Sequence, residues 1–139
     1  QWPLLDGARG RFIAVLDEGG DKRRSYASDW RSRAMFANLE ADQPGAAIMI
    51  INDPVADFQR ITEMVRAGYI VRTRADADTR EARSNDTRRR DQAFASGAHL
   101  VSTDYYLPAQ HFDSDYVVRL NAPARCNPVR VPAGCLIAE

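Results

Sequence analysis

Four apolar runs punctuate the chain, each ending in polar residues, and the segments between them space their apolar residues as helices do. The runs are Arg11 to Asp17, Ala46 to Asp53, Tyr69 to Arg74 and His99 to Asp104. Runs of this length, rich in Ile and Val, predict strands, and the first is expected to be buried on both faces. Between the first and second, Trp30, Ala34, Met35, Phe36 and Leu39 approximate one helix face, so a helix is predicted over Tyr26 to Leu39. Between the second and third, Phe58, Ile61, Met64 and Val65 predict a helix over Val55 to Ala67. Asp53 and Pro54 read as its cap and first position, and Gly68 as its end. A third helix is predicted from Asp86 or Thr87 to Ser96, closed by Gly97. Glu18 to Lys22 and Thr79 to Arg83 read as loop or turn.

The order is β-α-β-α-β-α-β, an α/β pattern expected to give parallel strands with right-handed helical crossovers. One domain is expected over residues 1–139, with a core at 11–105 and an irregular tail at 106–139. Within the tail, Tyr116 to Leu120 reads as a short edge strand or an extended segment.

The third run turns charged without a break. Strand side chains alternate faces, so Ile70, Arg72, Arg74 and Asp76 share one side. Charges at the end of a buried strand are costly unless they are paired. Arginine presents a planar fork of donors that suits phosphate or carboxylate. Two readings stand at this point: a ligand site, or a structural ion-pair network with acids such as Asp76 and Asp78. The other strand ends carry Asp17 and Glu18, Asn52 and Asp53, and Thr103 and Asp104. In parallel α/β folds the carboxyl edge is where ligands bind, which favours a site.

Composition narrows the class. The 139 residues are 45% hydrophobic and 27% charged, ordinary for a globular domain. Lys+Arg and Asp+Glu both number 19, which gives no overall basic footprint for nucleic acid. Five arginines between Arg80 and Arg90 are interleaved with Glu81 and Asp86, which reads as a solvated helix face. No apolar run is long enough to span a bilayer. No secretory signal opens the chain and no initiator Met is present, so a processed or truncated chain is expected. Cys126 and Cys135 sit in a proline-rich tail and suit a small disulfide loop, which favours export; two free thiols are the alternative. The sequence contains no Gly-rich phosphate loop and no nucleophile elbow. His99 starts a strand and reads as structural, and His111 reads as surface. No general base stands out, so the chain looks like part of an active site.

The block Gly68 to Thr79, with Glu81-Ala-Arg83, Asn85-Asp-Thr87, Arg90-Asp91, Ala95 to Ala98 and Val101-Ser-Thr-Asp-Tyr105, resembles the calcium-dependent phosphoinositide-specific phospholipase C family of bacteria and fungi. Phe12 to Asp17, Asn52-Asp-Pro54 and Arg125-Cys-Asn-Pro128 fit the same family. The resemblance implies a TIM-type (β/α)8 phosphodiesterase barrel of which this chain is the C-terminal half, strands five to eight. It places the catalytic histidines and most calcium ligands in the N-terminal half. It assigns substrate recognition to this half, with Arg72 and Arg74 against the inositol phosphate head group and Asp17, Asp76 and Asp104 lining the mouth. It implies Ca2+ as cofactor, a secreted protein acting on a membrane-surface lipid, and either pairing with the N-terminal half or self-association. The activity implied is phosphodiester cleavage of phosphatidylinositol-type lipids, with this chain inactive alone. Alternatives on the same barrel are a glycerophosphodiester phosphodiesterase, a non-catalytic half barrel that binds phosphoinositides or a protein partner, and a glycosidase using Asp17 and Asp104.

Overall fold

The computed structural model describes residues 2–122, 124–131 and 135. The chain divides into two compact units, Gln1–Ala47 and Ile48–Glu139.

In the first unit, a short helix α1 (Leu5–Ala8) precedes strand β1 (Val15–Leu16), helix α2 (Gly20–Ala27), a single 3-10 turn (Trp30–Ser32) and strand β2 (Phe36–Ala37). β1 and β2 are parallel, with Val15 opposite Phe36 and Leu16 opposite Ala37. Two expectations are corrected here. The helix foreseen over Tyr26 to Leu39 ends at Ala27; of its five apolar residues Trp30 falls in the 3-10 turn, Phe36 in β2, and Ala34, Met35 and Leu39 between elements. The polar interval Ser28 to Arg33 has no apolar face to bury, and Ser32 closes a turn by donating to the Asp29 carboxylate. Strand pairing then captures Phe36, whose N–H donates to the Ala14 carbonyl at 2.9 Å. The Tyr26 hydroxyl both accepts from the Met35 N–H (2.8 Å) and donates to the Met35 carbonyl (3.2 Å), fastening the helix to the incoming strand. The helix also starts at Gly20, inside the stretch read as a loop. The second correction concerns burial. Phe12 and Ile13 are 90% and 54% exposed, so the first apolar run is not buried on both faces. Its ladder is only two residues long and holds one partner strand.

The second unit is a three-stranded parallel sheet in the order β3 (Ile48–Ile50), β4 (Ile70–Arg74), β5 (Leu100–Ser102). Among the described residues five short strands therefore stand where four were expected. Helix α3 (Phe58–Ala67) connects β3 to β4; α4 (Arg80–Ser84) and α5 (Arg88–Ala95) connect β4 to β5. Thr79 to Arg83, read as a loop or turn, is mostly the helix α4. Asp53 caps a tight turn rather than the helix itself: its Oδ1 accepts from the N–H groups of Val55 (3.1 Å) and Ala56 (3.2 Å), and α3 begins at Phe58. Gly68 ends α3 at φ +95°, the left-handed conformation expected of a glycine there.

Alternation along β4 sorts the two faces. Val71 and Thr73 are fully buried, as is Ala75 beyond them, while Ile70, Arg72 and Arg74 are half-buried on the other side. α3 and α5 both contact β4, and Ile61, Val65 and Ala93 are the fully buried residues they contribute. A second apolar cluster joins Ala75, Ala82, Tyr105, Tyr116 and Val118. Residues 116–120 form an extended segment without a ladder, anchored by the Val118 N–H donating to the Tyr105 carbonyl at 2.8 Å. The disulfide foreseen between Cys126 and Cys135 is formed, with Cα atoms 6.1 Å apart.

Candidate functional site

Three strands of one parallel sheet end side by side, and their carboxyl ends carry the polar residues picked out in the sequence. β3 runs out into Asn52 and Asp53, β4 into Arg74 and Asp76, and β5 into Thr103 and Asp104. The register puts Ile50 opposite Arg72, and Arg74 opposite Ser102. Paired residues of a parallel ladder point to the same side, so Ile50, Arg72, Arg74, Leu100 and Ser102 share the face that looks away from the buried Val71–Thr73 side.

Arg72 is half-buried and donates from Nη1 to the Asn52 side-chain oxygen at 2.6 Å. Arg74, one step nearer the carboxyl edge, is half-buried, and its side chain makes no hydrogen bond or ion pair among the described residues. A guanidinium withdrawn partly from water without a protein partner retains all of its donors for a ligand.

Asp76 has a different setting. It is 3% exposed, and both carboxylate oxygens accept hydrogen bonds: Oδ2 from the Thr103 hydroxyl and Oδ1 from the Asp104 N–H at 3.0 Å. It staples the end of β4 to the turn after β5. Asp104 itself is exposed beside it. Beneath Asp76, the buried Tyr116 hydroxyl donates to the Ala75 carbonyl at 3.0 Å. Burial pushes the Tyr116 phenol far above its ordinary pKa, and the negative charges of Asp76 and Glu81 add to the effect. Asp17 lies in the other unit, exposed, with its Oδ1 accepting from Asn38 Nδ2 at 3.4 Å.

The residue that sequence reading passed over is Arg89. It belongs to the arginine run read as a solvated face, yet its side chain is 15% exposed. Its Nη1 lies 3.6 Å from the Asp53 carboxylate, and its Nη2 donates to the Asn52 carbonyl. Its Nε is buried without a partner among the described residues. The signal was present in the spacing: Arg89, Ala93 and Ser96 follow at i, i+4 and i+7, and the last two are fully buried. Asp53 is held below the ordinary carboxylate range, chiefly by the Ala56 N–H, with Val55, Arg89 and Arg80 adding and partial burial opposing. Asn52 is thus gripped from both sides, its backbone by Arg89 and its side chain by Arg72.

His99 and His111 stay outside this edge. His99 Nδ1 accepts from the Val71 N–H at 3.2 Å, at the opposite end of β5. Its pKa is lowered first by desolvation and then by Arg130. His111 is exposed in the tail.

Among the described residues, no three His, Cys, Asp or Glu side chains gather as a metal-binding set. Asp76 accepts from Thr103 and the Asp104 N–H, and Asp53 Oδ1 accepts from two N–H groups beside Arg89; two carboxylates engaged in this way fall short of the roughly six to eight oxygens that calcium takes. What the edge offers is cationic donors for an anion.

A family model described as "Phosphoinositide phospholipase C, Ca2+-dependent" matches residues 1–128. No curated protein and no solved structure gives a significant match to the chain.

Proposed function

From the premise that this chain belongs to the Ca2+-dependent phosphoinositide phospholipase C family, we propose that it is the head-group-binding half of a secreted phospholipase C acting on phosphatidylinositol-type lipids. The observation that carries the reading is the pair Arg72 and Arg74, both half-buried on one face of β4 at the edge where three parallel strands end. Phosphodiester cleavage builds negative charge on the non-bridging phosphate oxygens. Two guanidiniums a strand repeat apart give that charge fixed donors and position the inositol ring. Arg89 and Asn52 hold Arg72 in place for this work.

The reading assigns the proton-transferring histidines and calcium to a segment outside this chain. Neither described histidine reaches the strand edge, and of the acids there Asp76 is held by Thr103 and Asp104 and Asp53 lies beside Arg89. It also assigns the chain to the second half of a TIM-type barrel. The parallel β3-β4-β5 ladder supports this, as do the exposed Phe12, Ile13 and Leu100, apolar residues that a missing half would cover. The N-terminal half of the same barrel is the expected partner, with self-association as the alternative when it is missing. Export is supported by the Cys126–Cys135 disulfide.

The test is cleavage of phosphatidylinositol by a protein that carries both halves. Wild type turns over with calcium, and Arg72→Ala lowers kcat/KM by roughly 10²–10³-fold, the range for loss of one transition-state donor. Equal activity on glycerophosphocholine would move the assignment to a glycerophosphodiester phosphodiesterase. Head-group binding without turnover would leave a non-catalytic binding half.

A further inference from the structure

Along one face of β5 lies a cavity that the β4 arginines do not line. Its volume is about 310 Å³, at the small end of the ~300–1,000 Å³ range of small-molecule sites. Phe94, Val101, Val118 and Leu120 form apolar walls. Strand alternation separates it from the arginine face: His99, Val101 and Thr103 line the cavity, while Leu100 and Ser102 lie on the Arg72–Arg74 side.

The polar groups around it are dominated by hydrogen-bond donors, and among the described residues no carboxylate lines it. His99 uses Nδ1 to accept from the Val71 N–H, so its proton sits on Nε2, which remains a donor. Arg119 donates from Nε to the Tyr106 carbonyl at 3.2 Å, which fixes the side chain and leaves its terminal nitrogens available. Arg125 stacks on the Phe94 ring at 4.9 Å and donates to the Phe94 carbonyl. Neither Arg119 nor Arg125 has an ion-pair partner among the described residues. Two cations and a neutral donor around an apolar hollow complement a ligand with an anionic head and a short apolar body.

We propose that this cavity binds a single-chain anionic amphiphile, a medium-chain carboxylate or alkyl phosphate, at a site separate from Arg72 and Arg74. The head lies between Arg119 and Arg125, and the chain lies against Phe94, Val101 and Val118. Such a site lets a single-chain anionic lipid neighbouring the substrate hold the protein without competing for the strand edge.

The experiment is titration calorimetry on the Arg72→Ala, Arg74→Ala double variant, which removes the other anion-binding face. Octyl phosphate, octanoate, octanol and inorganic phosphate are the probes. Octyl phosphate and octanoate are expected to bind at least tenfold tighter than octanol or inorganic phosphate. Arg119→Gln, at an exposed position, should weaken both about tenfold. Ala124→Phe, also exposed, narrows the cavity and should weaken octyl phosphate while leaving inorganic phosphate unchanged. Octanol binding as well as octanoate would overturn the proposal. So would inorganic phosphate matching octyl phosphate, or indifference of both amphiphiles to Arg119→Gln and Ala124→Phe. These outcomes are independent of whether Arg72 binds an inositol phosphate.

Discussion

The Nη1 of Arg72 donates to the side-chain oxygen of Asn52 at 2.6 Å, tying the middle strand of the sheet to the end of its neighbour. The same Asn52 receives Arg89 at its backbone carbonyl. Asn52→Ala removes the side-chain partner but keeps the backbone one. Head-group affinity is expected to fall by about threefold to tenfold, equivalent to roughly 1 kcal/mol for one hydrogen bond. The urea midpoint should hardly move, because Asn52 is exposed. Measuring both quantities on one preparation separates positioning from folding.

Asp76 gives the opposite expectation. Its carboxylate is buried and accepts from Thr103 and Asp104, so Asp76→Ala leaves those donors unsatisfied. A loss of about 2–4 kcal/mol is expected from equilibrium urea unfolding. Asp76→Asn, which keeps one acceptor, should cost less.

Tyr116 sets an alkaline limit. Its phenol is raised in the folded protein above its unfolded value of about 10, so the folded state resists deprotonation. The resulting stability is complete below pH 10 and is lost as pH climbs above 10 toward the folded value. Tyr116→Phe removes the hydrogen bond to Ala75 at a cost of about 1 kcal/mol at pH 7, and it should flatten this alkaline decline. Urea midpoints collected from pH 8 upward check both parts. The acid side runs the other way for Asp53, whose depressed carboxyl contributes above its unfolded pKa and ceases to contribute as pH falls through its folded value.

Gly97 is expected to tolerate no side chain. Its φ is +79°, and a Cβ there would lie 2.5 Å from Val129 Cγ2 and 3.0 Å from Asn127 Oδ1. Those tail residues are held: Asn127 Nδ2 donates to the Gly97 carbonyl at 2.7 Å, and Arg130 reaches the Arg66 carbonyl at 2.7 Å. Gly97→Ala should therefore cost about 1–3 kcal/mol and loosen the tail, read as faster amide exchange at Val129 and Arg130.

Much of the sheet was legible because continuous apolar runs ending in charge have few other solutions. The runs at 46–53, 69–74 and 99–104 each hold a strand, and Phe58, Ile61 and Val65 mark α3. The stretch from Tyr26 to Leu39 misled because five apolar residues fit a helical spacing by coincidence. Backbone pairing of Phe36 and Asn38 with Ala14 and Leu16 outweighed that weak periodicity. The role of Arg89 was hidden by its neighbours: interleaved charges read as a solvated face, whereas α5 turns Arg89, and less fully Arg90, inward. Asp76 was correctly placed at the strand edge, but a sequence does not reveal that Thr103 and the Asp104 N–H, about thirty residues on, claim both its oxygens.

The most direct measurement is titration of the chain with inositol 1-phosphate, against glycerol phosphate, for wild type, Arg72→Ala and Arg74→Lys. The account predicts that wild type prefers inositol 1-phosphate. Arg72→Ala should abolish measurable binding without shifting the urea midpoint. Arg74→Lys should weaken binding at least tenfold, because an ammonium does not reproduce the planar fork. Equal binding of the two phosphates, or inositol phosphate affinity unchanged in Arg72→Ala, would contradict head-group recognition by this strand.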